Sequence, residues 1–226
     1  CALQLNDQDA FEGEPILLQG IEVQSPRWTR QSGFRQVKVD SLRRSQHVHE
    51  NLAQLLENNT SLFIKSYGLG GLATPSFRGT GASHTQVYWE GFNINSPMLG
   101  QVDLSLIPVA ATEHIYLDYG GASLQHGTGG LGGSILLDSR PDFNRRWKGY
   151  GGITTGSFGM RNVLGQVSGG DERWQINSRF YHRAARNDFP FMNSDKEWVR
   201  TQNAAFSQRG LMQDMYFRSN NLGTFS

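Results

Sequence analysis

The sequence has one cysteine, Cys1, among 226 residues, so no internal disulfide framework forms. Cys1 has two readings: the lipid-bearing residue left after an export signal is cleaved, or simply the residue at which numbering begins. No stretch of 18 apolar residues exists, which excludes a transmembrane helix but not a membrane β-barrel, whose strands alternate and leave a weak hydropathy trace. Charge of one sign is also missing. The 21 basic side chains balance 20 acidic ones, which argues against a dedicated nucleic-acid binder, and no run of like charges forms an interaction tail. Proline is scarce, at 7 residues, beside 27 glycines. That excludes collagen-like and simple linker compositions and points to tight turns, bulges and close backbone approach in a β-rich chain.

Residues 1 to about 34 lack helical periodicity, and one β-prone patch, Ile16–Val23, interrupts them. The patch reads either as part of a disordered leader or as a peptide that adds to a partner's sheet edge. From Val37 the pattern is that of a folded unit. Ser45–Asn58 places Val48, Leu52, Leu55 and Leu56 at helical spacing. Short strands are expected at Ser61–Lys65, Gln86–Trp89, His114–Asp118 and Ser134–Asp138, with loops at Tyr67–Pro75 and Asn93–Gln101 and an acidic-Gly turn at Glu90-Gly91. After Pro141 the pattern changes. Segments near 150–157, 161–168, 174–183 and 208–218 alternate in polarity, and residues 184–205 make a long polar loop. Long alternating strands with short and long connections fit a transmembrane barrel, though a soluble β-sandwich leaves a similar trace. Trp147, Tyr150, Phe158, Trp174 and Tyr181 would suit interface girdles.

The motifs exclude more than they assign. His126–Gly133 contains a literal G-x-G-x-x-G, but it runs into an apolar strand instead of opening a helix, so a dinucleotide site is not expected. His47 and His49 sit at the start of the expected helix, where spacing of two does not share a face, and no cluster completes a metal site. Ser83-His84 lacks a nucleophile elbow. No catalytic constellation, cofactor or metal is expected, and the chain is not read as an enzyme. Arg78 and Glu90 flank apolar strands. They read as an exposed ion pair of little value, or as buried contacts that would be costly to break.

The order of residues then carries a resemblance. Ser76–Asn95, with Arg78-Gly79 ahead of a strand and the Glu90-Gly91 turn, resembles the plug signature of TonB-dependent outer-membrane receptors. Asp103–Pro108 resembles that family's next element, and Ile115–Gly133 its closing glycine-rich block. The likeness spans about residues 37–141. Within the family, Arg78–His84 resembles the vitamin B12 (cobalamin) receptors, and Arg186–Asn193 resembles early barrel loops of such receptors of Bacteroidetes type. Tyr116, Tyr119 and Gly121 depart from the family's usual Glu, Arg and Pro, so an ion pair that often holds the plug is missing here; Glu90 stands for the usual Asp.

The resemblance implies a fold, a location and a mechanism. The fold is an α+β plug followed by the first strands of an antiparallel transmembrane β-barrel, with 22 strands expected in the complete protein. Residues 1–36 would be a periplasmic segment, 37–143 the plug and 144–226 the first barrel strands; an unclosed barrel would leave unpaired edges in lipid, so the chain is expected to be part of a longer polypeptide. The location is the outer membrane of a Gram-negative bacterium. Leu18, Gln19, Gly20, Ile21, Glu22, Val23, Gln24 and Ser25 would be the TonB box, which pairs with the energy-coupling TonB-type protein. Tyr67, Leu72, Thr74, Ser96, Met98 and Leu99 would contact a large organic ligand, and Arg78 and Glu90 would be plug–barrel contacts. Cobalamin is the first cargo implied, with ferric siderophore as the alternative, and a gated adaptor or secretion-associated barrel as a reading without uptake. Membrane lipid and a surface lipoprotein complete the implied partners, with no nucleic acid.

Overall fold

The computed structural model describes residues 34–120, 129–140, 143, 146–219 and 223–225; the expected TonB box lies outside them. The N-terminal unit runs in order through β1 (Phe34–Lys38), α1 (Ser41–Gln46), α2 (Leu52–Asn59), β2 (Phe63–Ser66), β3 (Ala73–Ser76), β4 (Thr85–Trp89), β5 (Phe92–Asn93), β6 (His114–Gly120) and β7 (Gly133–Asp138). The C-terminal unit holds β8 (Lys148–Thr155), β9 (Arg161–Gly170), β10 (Trp174–Ala185), β11 (Pro190–Met192), β12 (Trp198–Arg200), β13 (Phe206–Ser219) and β14 (Gly223–Phe225).

One helix was expected over Ser45–Asn58; two form, because the chain turns at His47–Glu50 and restarts on a capping box. Asn51 is extended (φ −92, ψ 166), its side chain accepts from Gln54 N at 2.8 Å, and Gln54 Oε1 accepts from Asn51 N. Two otherwise orphaned N–H groups are thereby satisfied. Leu52, Leu55 and Leu56 keep their helical stripe and are fully buried. They pack with Val87, Leu104, Val109, Ile115, Leu117, Ile135 and Leu137 in the main core, each buried aliphatic contributing about 1.5–3 kcal/mol. A five-stranded sheet, ordered β1-β6-β7-β4-β5, lines that core. Only its β4–β7 pair is parallel. β1 and β3 were not anticipated: β1 is short and carries Arg35, Gln36 and Lys38 among its five residues, and β3 contains Pro75 in a two-stranded ribbon with β2, a placement proline tolerates.

The second sheet, ordered β14-β13-β10-β9-β8, is antiparallel throughout. Directly paired residues share a face, so register sorts the side chains. One row carries Tyr150, Asn162, Gln175, Asn177, Arg179 and Arg183, turned toward the N-terminal unit; the opposite row carries Ile153, Val167, Trp174, Phe180, Leu211 and Met215, all exposed. Polar within and apolar without is the pattern of a barrel wall in lipid. The register corrects two expected girdle residues: Tyr150 hydrogen-bonds His49, and Tyr181 shares the inward row with Leu164 and Gly210. The ring of Trp174 packs on Phe217 at 4.6 Å between centroids, on the outward side.

Candidate functional site

Arg179 is the centre of the contact between the two units. Only 2% of its side chain is exposed. Its Nη1 donates to Ala111 O at 3.1 Å and its Nη2 to Glu113 Oε1 at 3.1 Å. Asp214, across the strand pair from Asn177, brings Oδ2 to 2.8 Å from the same guanidinium, off the hydrogen-bonding line. Asn177 Nδ2 adds a longer contact to Glu113 Oε1, 3.4 Å. Four residues further along β10 and on the same face, Arg183 Nη1 reaches Ser105 O at 3.5 Å. On the N-terminal side, Arg44 Nη1 donates to Thr112 O at 3.1 Å. Burial holds the Arg44 guanidinium below its ordinary pKa, the negative charge of Glu113 opposes that shift, and the positive charge of Arg179 reinforces it. Glu113 therefore lies between two arginines, one from each unit.

The rest of the seam is polar and mostly side-chain to backbone. Asn162 Nδ2 donates to His49 O at 3.3 Å, and the His49 ring meets Tyr150 Oη at 2.9 Å over Gly152. Tyr216 Oη donates to Ser139 O at 3.2 Å, and Gln208 donates to Leu106 O. His47 turns instead to Glu50, 3.0 Å away, so the two histidines serve different partners. Among the described residues no three His, Cys, Asp or Glu side chains converge as metal ligands.

Arg78 and Glu90, expected as contacts between the units, are not brought together. Arg78 is exposed at a left-handed position (φ 49) ahead of β4, and Glu90 (φ 48) follows the far end of that strand. Glu90 N donates to Leu137 O at 2.9 Å. Desolvation raises the Glu90 pKa, and repulsion from Asp138 adds to the rise. Two of the contacts that do join the units, Arg179 with Glu113 and Asn187 with Leu69 O, involve residues that were not singled out as contacts in the sequence. An arginine at an inward position of an alternating strand was the available signal for the first.

Of the residues expected to contact ligand, Tyr67, Leu72, Met98 and Leu99 are exposed, Met98 at 88%. Ser96 is half-buried, its Oγ accepting from Leu99 N at 3.4 Å. Thr74 falls in β3 opposite Lys65 and is 5% exposed; the loop ends at Leu72, so Thr74 supports it from below and offers no surface. The Lys65 ammonium stands 5.4 Å from the Tyr67 ring centroid, a cation–π contact. Asp103, just after the second loop, accepts from Ala73 N at the end of the first at 3.0 Å, and caps its own turn by accepting from Ser105 N at 2.9 Å. The long loop at 184–205 contains the β11–β12 hairpin, which exposes Met192 and Trp198 on one face.

Residues 29–134 match the family described as TonB-dependent Receptor Plug Domain. The chain is 34% identical over 100 residues to the Vitamin B12 transporter BtuB of Vibrio vulnificus, covering 42% of this chain and 16% of that protein. It is 30% identical over 123 residues to the Vitamin B12 transporter BtuB of Photobacterium profundum, covering 54% and 20%. The chain thus spans a fifth or less of these curated relatives. Among solved structures, the pyoverdine outer membrane receptor FpvA of Pseudomonas aeruginosa superposes with a TM-score of 0.65 at 15% identity, over 84% of this chain and 26% of that one.

Proposed function

We infer that the chain is the front of an outer-membrane importer of a large, scarce nutrient, a reading supported by the match of residues 29–134 to the TonB-dependent receptor plug domain and by antiparallel strands that present an inward polar row and an outward apolar one. The family consists of transporters and receptors, not enzymes. Its members sit in the outer membrane of Gram-negative bacteria with the plug's N-terminal side periplasmic, and this chain shares that place.

Residues 37–143 act as the plug and 144–226 as the first barrel strands. The observation that carries the reading is the seam centred on Arg179, which seats the plug against the wall through Glu113 and Ala111 O. Residues Leu18–Ser25 serve as the box that pairs by strand addition with a TonB-type protein, main-chain hydrogen bonds giving affinity. Tyr67, Leu72, Met98 and Leu99 provide an apolar and aromatic outer surface for an organic ligand. Cobalamin is the cargo proposed, in keeping with the two curated relatives.

Equilibrium binding of cyanocobalamin and a panel of ferric siderophores to the purified full-length receptor tests this. Saturable cyanocobalamin binding that siderophores do not displace is expected. Binding of a siderophore alone replaces the cargo. Binding of neither favours a plugged barrel that does not import.

A further inference from the structure

Asn187 lies where three loops of the same end of the molecule meet. Its Nδ2 donates to Leu69 O in plug loop 67–72 at 2.6 Å, and to Ala204 O, on the returning arm of the wall's own loop, at 2.9 Å. The backbone N–H groups of Arg186 and Asn187 donate to Phe158 O, in the turn between β8 and β9, at 3.0 and 3.2 Å. Asn187 holds φ at 53 and is 6% exposed. Asparagine tolerates that left-handed backbone better than most residues. Beside it, the Phe206 ring lies so close to Gly70 (φ 77) that a side chain there would overlap it. One polar and one apolar contact therefore hold the plug loop to the wall.

The wall element at the other end of this tie is braced. Thr201 donates from its N–H and its hydroxyl to Phe189 O, at 3.0 and 3.1 Å. Arg200 Nη1 donates to Asp188 O at 2.9 Å. The rings of Phe158 and Phe189 meet edge to face, 5.9 Å between centroids. Above this base the β11–β12 hairpin presents Met192 and Trp198, cross-strand partners, with Trp198 71% exposed.

We propose that Asn187 is a positioning residue of the ligand site: it couples plug loop 67–72 to the first outer hairpin of the wall, so that displacement of either is passed to the other. The proposal rests on the reading of these loops as ligand-facing. Both hydrogens of one buried amide are committed to carbonyls of two different loops. Neither loop moves away without breaking a bond and leaving an N–H of the Asn187 amide, itself 6% exposed, unpaired, an outcome that costs more than the bond itself contributes. The tie is neutral, so salt does not screen it. Two surfaces that share one such element influence each other because both bias its state.

The test uses the full-length receptor with its native cysteines replaced and a spin label at Tyr67→Cys, and reads label mobility by electron paramagnetic resonance. Asn187→Gly keeps the left-handed backbone and removes the amide. Asn187→Asp keeps the shape and turns an oxygen toward both carbonyls. Each is expected to raise label mobility at least twofold while the barrel retains heat-modifiable migration. Phe189→Ala, which loosens the hairpin base, is expected to mobilise the label when Asn187 is present and to add nothing after Asn187→Gly. An unchanged spectrum in both Asn187 variants overturns the proposal, as does a Phe189→Ala effect of equal size in the two backgrounds. Cyanocobalamin binding is measured separately on the parent. Failure there overturns the cargo, whereas the mobility result judges the tie by itself.

Discussion

The Arg179 guanidinium of the wall and the Glu113 carboxylate of the plug meet at 3.1 Å, both largely shielded from water. The two positions are 66 residues apart in sequence.

Replacing Arg179 with Met leaves Glu113 and Asp214 without their shared cation in a nearly dry seam. Loss of one partner of a buried pair costs about 3–5 kcal/mol, so the plug should unfold or leave the wall at lower denaturant in the full-length receptor. Adding Glu113→Gln and Asp214→Asn should recover much of the loss, because the unpaired charges go with the arginine. A single Arg179→Met variant as stable as the parent would remove the seam from the account of plug seating.

Gly152 and Gly165, on the neighbouring strands β8 and β9, differ in what surrounds them. A methyl at Gly152 would run into the His49 ring, whereas nothing lies within 4 Å of one at Gly165. Gly152→Ala is expected to lower stability by about 1–3 kcal/mol through overpacking, and Gly165→Ala to change it by less than about 0.5 kcal/mol. Thermal melting of the two variants side by side decides the point; equal midpoints would place His49 elsewhere.

Glu90 makes stability fall as pH rises. Its folded pKa is raised, by desolvation first and by Asp138 second, above the ordinary 4.5. A carboxyl raised in this way favours the folded state when protonated, below the unfolded pKa. That contribution is lost as pH climbs from the ordinary value through the raised one. Glu90→Gln should therefore gain on the parent across that window and keep its advantage at neutral pH. Melting midpoints that run parallel over the window would refute this.

Pro at Ile21 or Val23 removes a main-chain donor from the proposed box. Energised uptake of the bound ligand should fall to background while equilibrium binding at the outer surface stays within about twofold, because the box makes no part of the ligand site. Normal uptake by both variants would assign energy coupling to another segment.

Much of this protein was determined by local pattern. Leu52, Leu55 and Leu56 sit at a helical period whatever surrounds them, and all three are core. The strands near Gln86, His114 and Ser134 formed within a few residues of their expected bounds, as did the four long strands after Pro141, because a period of two survives in sequence. The helix break at His47–Glu50 was less legible. The capping box at Asn51 and Gln54 competes with helical continuation, and periodicity does not see that competition. Tertiary structure alone decided which face of each wall strand meets the plug. Alternation shows that two faces differ, but Tyr150 fits an outer girdle as well as an inward hydrogen bond until register places it opposite Gln166. The seam has the same origin. Arg179 with Glu113, and Asn187 with Leu69 across 118 residues, are pairs that no spacing encodes. They exist because two separately patterned units pack at one depth and one rotation, and that packing brings polar groups of each unit within reach of partners on the other.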